Sequence, residues 1–182
     1  MDIILDMGNV LLEWNKDKIL RGVVKTEKDF MILDKAIFQS GLWERLDLGT
    51  LTREELVLKV VSMIGSIYQE KVQEVVWNWP SYIEIYTEVF PLLVRLKEKG
   101  HRIFVLSNTS HVFYELLKDQ LAPLEKILDG FVLSCDIKVI KPDRKMFEEI
   151  LRKYELSPDN CIFMDDVKEN TVIDSDPKAG KK

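Results

Sequence analysis

Ile3-Ile4-Leu5-Asp6-Met7-Gly8-Asn9-Val10 is the stretch on which the reading of this chain turns. Three apolar residues run into one carboxylate, and a glycine follows two places later. The pattern reads as a short buried strand that delivers Asp6 to the end of a sheet. Two later stretches have the same build. Ile103-Phe104-Val105-Leu106 ends on Ser107-Asn108, and Cys161-Ile162-Phe163-Met164 ends on Asp165-Asp166.

Between the first strand and the second the pattern is helical, over about residues 15–86. Thr26 with Asp29 has the form of a capping box ahead of Phe30, Leu33 and Ile37. Thr52 with Glu55 has the same form ahead of Leu56, Val57, Val60 and Val61. A further helix is expected over Ile67 to Trp77, limited by Pro80. No strand signal interrupts this region, so it reads as an all-helical insert. From Glu88 onward helix and strand alternate: a helix that ends at Gly100, the Ile103 strand, a helix near Val112 to Leu117, and a short one near Leu124 to Leu128. The strand Phe131-Val132-Leu133, a helix opened by Pro142, and the Cys161 strand complete the series. Continuously apolar strands alternating with helices predict an α/β fold whose parallel sheet is covered on both faces. The expected division is a core of residues 1–14 and 87–182 around a helical domain of residues 15–86.

Open parallel sheets bind ligands beyond the carboxyl ends of their strands. Those ends carry Asp6, Ser107-Asn108 and Asp165-Asp166, with Lys141 just before the Pro142 helix. If the strands are neighbours, three carboxylates, a hydroxyl and an ammonium converge. Carboxylates packed together raise one another's pKa, and a hard divalent cation removes the conflict. Mg²⁺ suits the set, because it takes few protein oxygens and leaves room for water and phosphate. Lys141 can then hold a phosphate oxygen as a point charge, Ser107 can donate to another, and a central carboxylate can attack phosphorus.

The 182 residues carry a formal net charge of −5, with acids and bases interspersed. No basic stripe marks a nucleic-acid face. No apolar run is long enough to span a bilayer, and no signal peptide is visible at the N-terminus. The cysteines, Cys135 and Cys161, lie in apolar runs and are expected to be buried free thiols. That usage fits a reducing compartment, and a cytoplasmic location is expected.

Together the four motifs resemble those of the haloacid dehalogenase superfamily. They are Ile-Ile-Leu-Asp6-Met-Gly-Asn-Val, Val-Leu-Ser107-Asn108, Lys141-Pro142-Asp143, and Phe-Met-Asp165-Asp166 followed by Asn170. The resemblance covers almost the whole chain, and the insert resembles that superfamily's helical cap. The Asp-x-Gly-Asn-Val form, with Gly-Leu-Trp43-Glu-Arg-Leu-Asp-Leu-Gly-Thr in the insert, is similar to a branch of small phosphatases that includes an alpha-glucose 1-phosphate phosphatase. The resemblance implies a Mg²⁺-dependent phosphatase acting on a small phosphate ester, a sugar phosphate by preference, with Asp6 as nucleophile and metal ligand. It implies the Gly8 carbonyl and Asp166 as further ligands, Asp165 beside them, Ser107 and Asn108 on the phosphate, and Lys141 bridging phosphate and nucleophile. A phosphomutase or phosphotransferase, a dehalogenase, and a non-catalytic binding protein on the same fold are the alternatives. The expected assembly is a monomer or homodimer.

Two positions depart from that pattern. Most phosphatases of the superfamily have an acid–base Asp where this chain has Gly8, which implies a substrate with a good leaving group. Thr171 to Lys182 is polar, so one further edge strand is expected to be missing. Trp43 is a candidate for the substrate pocket; Trp77 and Trp79 are expected to pack the insert. His111, His101 and Arg45 are expected on helices or the surface rather than in the site.

Overall fold

The computed structural model describes residues 1–171, so the expectation of a missing final strand lies outside the described residues. The opening stretch forms β1 (Asp2–Leu5). Five helices follow: α1 (Lys16–Val23), α2 (Glu27–Leu33), which continues into a π turn (Asp34–Phe38), α3 (Leu42–Asp47), α4 (Arg53–Ile64) and α5 (Gln69–Asn78). The alternating part then runs α6 (Val89–Glu98), β2 (Arg102–Ser107), α7 (Val112–Lys118), α8 (Ala122–Glu125), β3 (Gly130–Leu133), α9 (Ser134–Ile137), α10 (Arg144–Lys153), β4 (Cys161–Met164) and α11 (Lys168–Thr171).

The four strands form one sheet in the order β3-β2-β1-β4, and every pairing is parallel. Leu5 is level with Val105 on one side and Met164 on the other. The residues that follow therefore emerge together at one edge, and the Asp6 amide donates to the Met164 carbonyl at 2.9 Å. Side chains alternate across β1, as pleating requires. Ile3 and Leu5 join an apolar cluster that runs on through Phe113 into Leu20, Leu33, Val60 and Val72 of the helices between β1 and β2. Ile4 faces the other way, onto Phe104, Leu106, Val132, Met146 and Ile150. Each such side chain contributes roughly 1.5–3 kcal/mol by leaving water.

The helix starts show how local chemistry sets the elements. Thr52 and Glu55 form a reciprocal capping box at α4, at 2.9 and 3.2 Å. Thr26 caps α2 through the Asp29 amide at 3.1 Å, but the Asp29 carboxylate turns to Tyr68 and Lys71 instead of closing the box. A salt bridge to Lys71 and a phenol are stronger partners than a backbone amide already near water. Pro142 does not open α10; Asp143 is its N-cap, accepting from the Lys145 amide at 2.9 Å.

Coverage of the sheet is uneven. On β4, Ile162 and Met164 remain 44% and 41% exposed, and Cys161 is only half-buried, whereas Cys135 is buried. The expectation of full cover and two buried thiols fails at this edge, because no described residue packs on the outer side of β4. Among the described residues no helix is long and apolar enough to cross a membrane.

Candidate active site

Lys141 stands at the centre of the strand ends. Its side chain is 1% exposed, with Nζ 2.9 Å from Asp6 Oδ1 and 2.6 Å from Asp165 Oδ2. A buried ammonium is tolerated only when paired, and here two carboxylates pair it. Asn108 sets its position. The Asn108 carboxamide accepts from the Lys141 amide at 2.7 Å and donates to the Lys141 carbonyl at 3.0 Å. Ser107 is buried at the end of β2 and lines the cavity beside Asn108.

The acidic pair after β4 divides its work. The Asp165 side chain is fully buried. It accepts from Lys141, from the Val167 amide at 2.9 Å, and from Asn170 Nδ2 at 3.0 Å to each oxygen. Asp166 is exposed and accepts from Asn9 Nδ2 at 2.8 Å. Asn9 sits in left-handed backbone (φ 53°), which Asn tolerates better than most residues, and its carbonyl oxygen accepts from the Trp14 amide. Asn9 and Asn170 were not among the expected site residues. Their signal is positional: each follows an aspartate motif within a few residues.

Burial raises the Asp6 carboxyl above its ordinary value; the Lys141 ammonium pulls it back down and Asp165 pushes it up again. Asp6 Oδ1 is buried with no well-aligned hydrogen-bond donor. Asp6, Asp165 and Asp166 each offer an oxygen within 4.8 Å of the others. Three carboxylate oxygens gathered this closely, with one ammonium among them, fit a hard divalent cation with oxygen ligands. The Gly8 backbone is close by and also lines the cavity.

That cavity, of about 230 Å³, lies between the strand ends and the helices that follow β1. Trp14, Trp43 and Trp79 line it, with ring centroids 5.2–6.3 Å apart in edge-to-face and tilted contacts. Trp43 was an expected lining residue; Trp14 and Trp79 were not. Trp77 is 41% exposed and stacks under Arg53 instead, at 4.7 Å. Arg45 is exposed and stays out of the cavity, as does His111, which lines a neighbouring one.

Asp47, the last residue of α3, also lines the cavity. Enclosure pushes its carboxyl well above the usual carboxylate range; the Ser110 amide and the Trp43 indole offset part of this, and Glu44 adds to it. Sequence reading passed over Asp47, because an acid in the last turn of a helix looks like a solvated residue.

A family model described as "haloacid dehalogenase-like hydrolase" matches residues 3–169. Among curated proteins the chain is 24% identical over 169 residues to a sesquiterpene phosphatase of Aspergillus oryzae, covering 93% of this chain and 82% of that one. It is 23% identical over 181 residues to a D-ribitol-5-phosphate phosphatase of Bacteroides thetaiotaomicron, covering 94% and 85%. Among solved structures it superposes on a HAD-family enzyme of Bacteroides thetaiotaomicron in complex with magnesium and inorganic phosphate. The TM-score is 0.77, with 22% identity over 93% of this chain and 86% of that one.

Proposed function

The chain belongs to the haloacid dehalogenase-like hydrolases, and from that premise we propose that it is a Mg²⁺-dependent phosphomonoesterase acting on a small phosphorylated metabolite, a sugar phosphate. The observation that carries this reading is the buried Lys141 ammonium held between Asp6 and Asp165, with Asp166 alongside. The relatives named as phosphatases and the fold neighbour holding magnesium and phosphate support it.

Asp6 is the nucleophile in this reading. Its carboxylate attacks phosphorus, the bond to the leaving oxygen breaks, and an aspartyl-phosphate forms that water then hydrolyses. Lys141 holds Asp6 ionised and meets the charge on the transferring group. Ser107 and Asn108 orient the phosphate oxygens. Asp6, the Gly8 carbonyl and Asp166 would hold Mg²⁺, with Asp165 beside them fixing Lys141. The cation, when bound, supplies Lewis-acid stabilisation of phosphoryl charge. Residues 15–86 act as a cap on a core formed by residues 1–14 and 87–182, and Trp43 contributes to the substrate wall. Two free thiols fit a reducing, cytoplasmic setting.

The test is phosphate release across a panel of sugar phosphates, with and without chelator. Release that chelator abolishes and Mg²⁺ restores is the expected result. Activity that survives chelation, or halide release from a haloacid in its place, overturns the reading.

A further inference from the structure

The phosphatase reading leaves one chemical requirement without a residue. An alkoxide is a poor leaving group, and the departing oxygen needs a proton. Gly8 cannot supply one. The titratable residues lining the cavity are Asp6, Asp47, Lys141 and Asp166. Asp6 is the attacking group. Lys141 Nζ is already engaged by two carboxylates, at 2.9 and 2.6 Å. Asp166 is exposed and bonded by Asn9. One acid is left.

Resting on that reading, we infer that Asp47 is the catalytic acid–base of this site, giving a proton to the leaving-group oxygen and later taking one from water. In the first half-reaction Asp6 forms its bond to phosphorus, the bond from phosphorus to the leaving oxygen breaks, and the electron pair on that oxygen takes the Asp47 proton. In the second, water attacks phosphorus while Asp47 accepts its proton. The bond from phosphorus to Asp6 breaks, its electrons return to the Asp6 carboxylate, and phosphate leaves with Asp47 protonated again.

Position supports the assignment. Asp47 lines the cavity from the helices between β1 and β2, whereas Asp6 and Asp166 come from strand ends and Lys141 from the loop before α10. Its backbone is tied to the loop after β2 through a single hydroxyl. Ser134 Oγ donates to the Asp47 carbonyl at 2.6 Å and accepts from the Thr109 amide at 2.9 Å. Thr109 lies two residues past Ser107 and lines the same cavity. Lys138 fastens the next turn by donating to the Gly49 carbonyl at 2.5 Å. A Cβ at Gly49 would stand 2.4 Å from the Cys135 carbonyl, so only glycine permits this approach.

The surroundings favour a neutral acid. Asp47 sits at the C-terminal end of α3, where a helix disfavours negative charge, and burial holds its carboxyl protonated well above the usual range. Glu44 on its own helix is a like charge that raises it further. From α9 come Cys135, itself pushed up to about 12, with Asp136 and Lys138. The π turn brings Asp34, paired with Lys16, and α4 brings Arg53, paired with Glu115. Across the cavity lie Asp6, Lys141 and Asp166.

The experiment compares p-nitrophenyl phosphate, whose leaving group needs no proton, with a set of alkyl phosphates such as glycerol 3-phosphate, all with Mg²⁺ present. Wild type is expected to turn over both kinds. Asp47→Asn is expected to lose about 10²- to 10⁴-fold in turnover of the alkyl esters. With p-nitrophenyl phosphate its first turnover, read as a burst of p-nitrophenolate, is expected to stay within about threefold of wild type. Its steady-state turnover of that ester falls, because hydrolysis of the aspartyl-phosphate also uses Asp47. Its alkyl pH–rate profile is expected to lose the limb that falls as Asp47 ionises. Adding Gly8→Asp to that variant is expected to restore at least tenfold on alkyl esters; a Cβ there meets nothing nearer than Trp14 Cβ at 3.4 Å. No loss on the alkyl esters, or a p-nitrophenolate burst slowed as much as alkyl turnover without rescue by Gly8→Asp, overturns the role of Asp47 and leaves the phosphatase standing. So does a wild type active on p-nitrophenyl phosphate alone. A wild type that releases phosphate from neither kind overturns both.

Discussion

The two walls of the cavity are built on opposite principles. The strand-end wall is a charge cluster: Asp6, Asp165 and Lys141 are buried together and hold one another by ion pairs. The helical wall is apolar, with Trp14, Trp43 and Trp79 packed ring on ring and a single enclosed carboxyl at Asp47. On the first wall, removal of Lys141 leaves two carboxylates buried without a cation. On the second, side-chain shape and backbone approach decide. One wall is suited to the phosphoryl group, and the other to whatever the phosphate is attached to.

Substitutions should separate the two walls by size of effect. Asp6→Asn keeps shape but removes the nucleophile, and turnover should fall by roughly 10⁴-fold or more while the thermal transition stays near wild type. Phosphate-release rates and a melting curve check this together.

Lys141→Met should cost about 3–5 kcal/mol in urea unfolding, because Asp6 and Asp165 are left buried without their cation. Part of that loss should return on acidification, as the Asp6 carboxyl, which burial already raises, takes up a proton. A loss that does not vary with pH would mean the pair contributes by packing alone.

On the helical wall, Gly49→Ala forces a Cβ to within 2.4 Å of the Cys135 carbonyl in backbone with φ of +66°. We expect a loss of about 2–3 kcal/mol and a rise in KM, with the chemistry of Asp6 otherwise intact. Unfolding and steady-state kinetics on one preparation measure both.

The smallest expected effect is a pH dependence. The folded-state pKa of Asp47 is raised, so its contribution to stability is complete below the ordinary carboxylate pKa of about 3.9 and is lost as pH rises through the raised value. Wild type should therefore lose stability relative to Asp47→Asn as pH climbs from about 4 towards neutrality and beyond. A gap in melting temperature that stays constant with pH would show that Asp47 does not titrate in this window.

Legibility in the sequence followed the same division. The strand ends could be read because a buried strand leaves a continuous apolar run, and an acid or a hydroxyl at its end breaks that run abruptly. Asp6, Ser107, Asp165 and Asp166 were each marked in this way, and Lys141 by the proline after it. The hydrogen-bonding roles of Asn9 and Asn170 were not marked, since a polar residue in a loop has no periodicity to violate. The helical wall was harder. Trp43 could be suspected, but Trp14 and Trp79 come from segments 65 positions apart and meet only after α1 and α5 pack.

The chain's own pattern of apolar runs, glycines and capping residues determined the parallel sheet, the helices between β1 and β2, and the acids and lysine that meet at the strand ends. Those are local properties, set by periodicity and backbone preference within a few residues. The tertiary structure alone decided that Lys141 lies between two carboxylates, that Asp165 is spent while Asp166 stays open, and that Asp47 is enclosed beside the site. Each depends on distances between residues far apart in sequence, and on burial, which sets how strongly charges act on one another and which no local pattern records.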